Sequence, residues 1–217
     1  MSFIYIYYFS LISVAAFLSY LSYRKGNSKA LFIMLVLIAT LLIEISSRIF
    51  YLNRISGYTF ILHLFNLFEY SMFCMYYLKT CKTNQLKTVV RISIPIFIVF
   101  GLCSSWFLYH FIGLPVLNID VEGFLLFIIY SHLLFNLDDD ENRVIYAHPD
   151  FWISIGILIF FGGAFIFLGL YPILLHMDAF SALTEYGAII TPLNMIFYNC
   201  IIIGLICLIR NKRYSIQ

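Results

Sequence analysis

Charge is what this sequence has least of: only 11% of its 217 residues are Asp, Glu, Lys or Arg, against about a quarter in a typical soluble domain. No stretch is hydrophilic enough to fold alone, which excludes an attached soluble catalytic or nucleic-acid-binding domain. Cysteine is sparse and unpatterned. Cys74, Cys81, Cys103, Cys200 and Cys207 are odd in number and offer neither a CxxC nor a Cys/His ligand spacing, which argues against a disulfide framework or a zinc site. The five histidines, His63, His110, His132, His148 and His176, fall mostly near the ends of apolar runs and on different sides. An intramembrane zinc hydrolase needs several such ligands at one depth. The last apolar run holds no lysine, Lys212 lying beyond it, so a retinal Schiff base is excluded. No phosphate-cradling glycine loop and no nucleophile beside a base presents itself, and no metal or other cofactor is expected.

What is present is hydrocarbon. The chain is 63% hydrophobic and 19% aromatic with a mean hydropathy of +0.95, the composition of an integral membrane protein. A bilayer crossing takes about 20 apolar residues, and seven stretches meet or approach that, at roughly 2–23, 30–52, 59–79, 89–110, 121–137, 151–176 and 188–210. The expectation is a single all-α domain, 1–217, a bundle of seven transmembrane helices. The first run has no basic segment before it, Arg24 and Lys25 following it instead, so it reads as a retained helix rather than a signal peptide. With seven alternating spans, eleven of the thirteen Lys and Arg residues fall on one side, leaving Arg48 and Arg54 for the other. The positive-inside rule then puts the amino terminus outside and the carboxyl terminus in the cytoplasm, in the cytoplasmic (inner) membrane.

Polar side chains at membrane depth carry the functional signal, since each charge there costs on the order of 3 kcal/mol and must face a bundle interior or a wet cavity. In helix two, Thr40, Glu44, Ser47 and Arg48 share a stripe, and Glu44 and Arg48 are spaced to pair. In helix three, His63, Asn66, Glu69, Tyr70 and Tyr77 span an arc of about 120°. In helix seven, Thr191, Asn194 and Tyr198 share a stripe. These groups predict one outward-opening cavity lined by Glu44, Arg48, His63, Asn66, Glu69, Tyr70, Asn194 and Tyr198. The plainer account is hydrogen bonding between helices, worth about 1 kcal/mol per contact. Two acids to one guanidinium leave a surplus acid, however, for which His63 is a candidate partner. Elsewhere, Gly156 with Gly163 and Gly162 with Gly169 mark two close-packing faces on helix six. Pro95, Pro172 and Pro192 are candidate kinks. The acidic run 138–141 reads as a solvated loop, with Asp150 capping helix six after Pro149.

Glu44, NLFEY (66–70), FWISIGILIFFGG (151–163) and LNMIFY (193–198) with its basic end resemble an uncharacterised family of small seven-helix integral membrane proteins common in Bacteroidota. Members of that family often carry a histidine one turn before the last-helix asparagine, where this chain has Ile190. The resemblance brings no established activity, but some relatives are encoded near sensor histidine kinases, which implies a sensory role. The expected function is a receptor- or sensor-like protein that binds a small amphiphile or membrane lipid and signals to a cytoplasmic or membrane partner, with no nucleic acid involved. The alternatives are a proton- or ion-coupled transporter using Glu44 and Glu69, and an intramembrane lipid-modifying enzyme with Glu69 and His63 as acid and base.

Overall fold

The computed structural model describes residues 3–52, 59–137, 145–177 and 179–210, with the backbone alone described at 3, 51, 52, 85, 168, 170–177 and 179–187. Among these residues the chain forms seven α-helices: α1 (Phe3–Arg24), α2 (Ala30–Leu52), α3 (Thr59–Thr80), α4 (Asn84–Phe107), α5 (Val116–Phe135), α6 (Pro149–Met177) and α7 (Ala179–Arg210). All but α3 contain a segment long and apolar enough to cross a membrane, so the chain is a multi-pass helical membrane protein. At 22 residues α3 is as long as α1 but less apolar. The acidic run 138–141, Arg54, Arg143, Lys212 and Arg213 lie outside the described residues.

Several helices run longer than the apolar spans. α4 starts at Asn84 rather than 89, and α7 at Ala179 rather than 188. Backbone hydrogen bonding continues into residues too polar for hydrocarbon, so hydropathy marks the membrane slab and not the helix. α5 differs for another reason: it starts at Val116 rather than 121, because Asn118 and Glu122, one turn apart, face inward and are buried. Polar residues on a buried face read as a boundary in the sequence. Pro95 and Pro192 lie inside α4 and α7, which continue through them.

The turn between α1 and α2 is set by Gly26. With φ +94° it occupies the left-handed conformation that closes a helix end, and the amides of Gly26 and Asn27 return to the carbonyls of Tyr23 and Ser22. This places Lys29 at the end of the bundle where α3 finishes and α6 begins.

Six helices form a ring in the order α1, α2, α3, α5, α6, α7, closed by α7 against α1, with α4 outside on α3 and α5. Phe73 of α3 fills the middle, its ring 5.8 Å from Phe161 of α6 and 6.3 Å from Phe197 of α7. α3 buries residues over about half of its circumference: His63, Asn66, Leu67, Tyr70, Phe73, Cys74, Tyr76 and Tyr77.

Glycines bring α6 close to both neighbours. A Cβ at Gly156 would lie 2.8 Å from Cys200 Cβ, and one at Gly163 2.9 Å from Leu193, both on α7, whereas one at Gly162 would meet the Phe127 ring of α5 at 3.2 Å. The two expected packing faces are therefore present, although Gly169 meets nothing within 4 Å. On α7, a Cβ at Gly204 would sit 2.7 Å from Ile153 and 2.9 Å from the Pro149 carbonyl. Backbone cannot move aside as a side chain can, so Gly204→Ala should lower stability by about 1–3 kcal/mol. Gly169→Ala should be neutral or slightly stabilising. Thermal unfolding in detergent checks the pair, and equal midpoints would refute the close approach of α6 and α7.

Candidate functional site

The polar side chains of α3 point in several directions and serve different neighbours. Near its start, the fully buried His63 places Nδ1 2.8 Å from Ser105 Oγ of α4. Asn118 of α5 donates to the same hydroxyl at 3.1 Å and to the Gly101 carbonyl at 3.3 Å, and its amide oxygen accepts from Ser104. Because Ser105 Oγ already accepts from Asn118, its own proton is free to go to His63. In the tautomer that accepts this proton the ring hydrogen sits on Nε2. Over the ring lies the α4–α5 connection, where His110 and Phe111 adopt φ +46° and +58°. Positive φ at consecutive non-glycine residues is strained and needs outside support. It comes from Thr59, whose hydroxyl donates to the Phe111 carbonyl at 3.1 Å, and from Phe111 against His63 at 5.4 Å. His63 is thus committed to α4 and the loop above it, and the expected partnership with a surplus acid is not formed.

One turn further, Asn66 donates its side-chain amide to Glu122 of α5. Glu69 follows on α3, near enough to Glu122 for their charges to interact. Tyr70 turns toward α4, its hydroxyl 2.7 Å from Ser93 Oγ.

The second polar group lies among α1, α2 and α7. Tyr8 donates to Glu44 at 2.8 Å, and its ring lies 5.8 Å from that of Tyr198. The expected helix-internal pairing of Glu44 with Arg48 is replaced by this contact with α1, while the Arg48 guanidinium lies 5.9 Å from the Tyr5 ring. Between α1 and α7 opens a cleft of about 110 Å³ lined by Ile4, Tyr5, Tyr8, Thr191 and Asn194. The eight expected site residues therefore do not line one cavity. Asn194 lines the cleft, with Tyr198, Glu44 and Arg48 adjoining its tyrosines; Asn66 and Glu69 meet Glu122 in the interior; His63 and Tyr70 are bonded to α4. Tyr198 joins the first two groups, since both Glu44 and Glu69 lie within electrostatic reach of its hydroxyl.

At the opposite end Asp150, expected to cap helix six, lies inside its first turn and binds side chains from other parts of the chain instead. Buried in the first turn of α6, it accepts Lys29 Nζ on both oxygens, at 2.9 and 2.8 Å, and the Tyr76 hydroxyl on Oδ1. Lys29 also lies 5.8 Å from the Tyr76 ring, so α2, α3 and α6 are held at one point. His148 Nδ1 lies 3.3 Å from the Asp150 amide nitrogen and 3.6 Å from Asp150 Oδ2, so it adjoins the same carboxylate. The helix N-terminus adds to the attraction for the carboxylate.

Sequence reasoning missed Tyr8, Asn118, Glu122, Tyr76 and Lys29. Asn118 and Glu122 did carry a signal, being spaced one turn apart on a single face. Tyr8 carried none, because seventeen tyrosines make each one unremarkable. Among known proteins no family model, no curated protein and no solved structure matches the chain.

Removing one member of a buried ion pair strands the other, at about 3–5 kcal/mol. Lys29→Met should therefore destabilise strongly, and Lys29→Met combined with Asp150→Asn should recover part of the loss. A double-mutant cycle of unfolding free energies measures this, and simple additivity would refute the coupling.

Proposed function

We propose that the chain is a seven-span protein of the cytoplasmic membrane that binds a small amphiphile or lipid in the α1–α7 cleft and relays occupancy to a partner at its cytoplasmic face. The observation that carries this reading is the lining of the cleft. Ile4 suits an acyl chain, whereas Thr191, Asn194 and the hydroxyls of Tyr5 and Tyr8 suit a polar head, with Glu44 and Arg48 beside those tyrosines. A site at the seam between the first and last helices is also where a ligand could enter sideways from the bilayer. The exposed Ile4, Tyr5 and Tyr7 of α1 favour that route.

The seventh span is α3. Its polar groups are bonded to neighbouring helices, and a helix enclosed in this way needs less apolarity than one facing lipid. Arg24, Lys79 and Arg210, each in the last turn of its helix, gather at one end, which supports an outside amino terminus and a cytoplasmic carboxyl terminus. A sensory role agrees with the family resemblance. Proton- or ion-coupled transport is the second reading, favoured by the approach of Glu69 to Glu122.

The test is binding of a fluorescent fatty acid to purified protein in detergent. The variant carrying Tyr5→Ala and Asn194→Leu should bind at least about tenfold more weakly with an unchanged thermal midpoint, since it loses both head-group contacts at roughly 1.4 kcal/mol or more. Wild-type affinity in that variant, or no binding by either protein, would overturn the reading.

A further inference from the structure

We infer that Asn66, Glu69 and Glu122 form a buried binding site for a small monovalent cation, sodium or a proton, in the middle of the bundle. Asn66 and Glu122 are 3% and 1% exposed, and one hydrogen bond joins them through Asn66 Nδ2 and Glu122 Oε2. The bond leaves two oxygens over. Asn66 Oδ1 and Glu122 Oε1 are both sequestered from solvent and have no hydrogen-bond partner. Buried acceptors in native proteins are nearly always satisfied, so each orphan asks for an occupant, and two on a hydrogen-bonded pair of residues with a second carboxylate nearby ask for a cation.

Glu69, itself half-buried, supplies that carboxylate, one turn along α3 from Asn66 and in electrostatic contact with Glu122. Two carboxylates at membrane depth are not both left ionised without a counter-charge. Among the described residues, no lysine, arginine or histidine forms an ion pair with either. The titratable groups facing the pair are Tyr70 and Cys74 on α3 and Tyr198 on α7, with Tyr8 and Glu44 a step beyond. None of these brings a positive charge. α6 meets α5 here through Phe161 and Phe165 at Gly123, an apolar contact.

A proton on one carboxylate with sodium on the other leaves the pair neutral, and a proton shared between them halves the uncompensated charge. Calcium takes six to eight oxygens and magnesium keeps an octahedral shell of water, so this small donor set suits neither. For a proton, the hydroxyls of Tyr8 and Tyr198 lie between Glu44 beside the cleft and Glu69. The site stands whether or not the cleft binds an amphiphile.

The experiment uses the full chain in detergent without lipid or amphiphile. Thermal midpoints are recorded across sodium chloride concentrations against choline chloride, and from pH 5 to 9. If sodium is the ligand, sodium stabilises saturably and choline does not, binding tightens as pH rises because protons compete, and Glu122→Gln and Glu69→Gln weaken it at least about tenfold. If the proton is the ligand, sodium and choline act alike, but the sodium-free midpoint falls as pH rises, and Glu69→Gln flattens that fall. The wild-type comparison of salts needs no variant, so poor folding of Glu122→Gln would not obscure it. Overturning results are a wild-type midpoint indifferent to sodium and pH, or a response unchanged in Glu69→Gln.

Discussion

A polar side chain in hydrocarbon must find its partner inside the protein, and α3 is where this bundle meets that constraint. Its side chains reach Ser105 and Ser93 on α4, Glu122 on α5 and Asp150 on α6. Tyr77 lies 2.9 Å from His132 Nδ1 on α5, and the Phe73 carbonyl accepts from Tyr130. Each contact is worth little alone, about 1 kcal/mol. Together they fix the rotation and depth of α3 relative to three neighbours, which apolar packing against lipid-like surfaces specifies poorly. Helices that face lipid on one side, such as α4 with Val89, Ile92, Ile96 and Val99 exposed, have no such obligation.

The bundle divides mechanically along the same lines. α5, α6 and α7 are drawn together by Gly123, Gly156, Gly162 and Gly204, where backbone meets backbone or side chain with little space. α1 and α2 are held differently, by the Gly26 turn, the Tyr8–Glu44 hydrogen bond and the Lys29–Asp150 pair. Between these halves lies the proposed cleft. A ligand there would bear on Tyr8, and through it on Glu44 and Tyr198, which gives a physical route from occupancy to the centre of the bundle.

How much of this was legible in the sequence depends on the range of the interaction. Apolar runs predicted the helices, because membrane crossing is a property of one segment at a time. The two glycine faces of α6 were legible for the same reason, since helical spacing alone sorts Gly156 and Gly163 from Gly162. Pairings were not. Glu44 was matched with Arg48 because both lie on one helix, whereas its observed donor, Tyr8, is 36 positions away. Glu122 lies within the fifth apolar run but does not stand out there, because hydropathy averages a buried polar face with the lipid-facing one. Asp150 was read as a helix cap because local spacing contains no hint of Lys29, 121 positions earlier.

The sequence separations along α3 also bear on how the protein is made. On the seven-span reading, α3 leaves the ribosome well before the groups it bonds: Ser105 follows His63 by 42 positions, Glu122 follows Asn66 by 56, and Asp150 follows Tyr76 by 74. When α3 first meets the insertion machinery it has only α1 and α2 for company, and its Asn66 and Glu69 have no downstream helix to shield them. Its entry into lipid would then be deferred until α5 arrives, so that the helix at the heart of the finished bundle is among the last to settle in the bilayer.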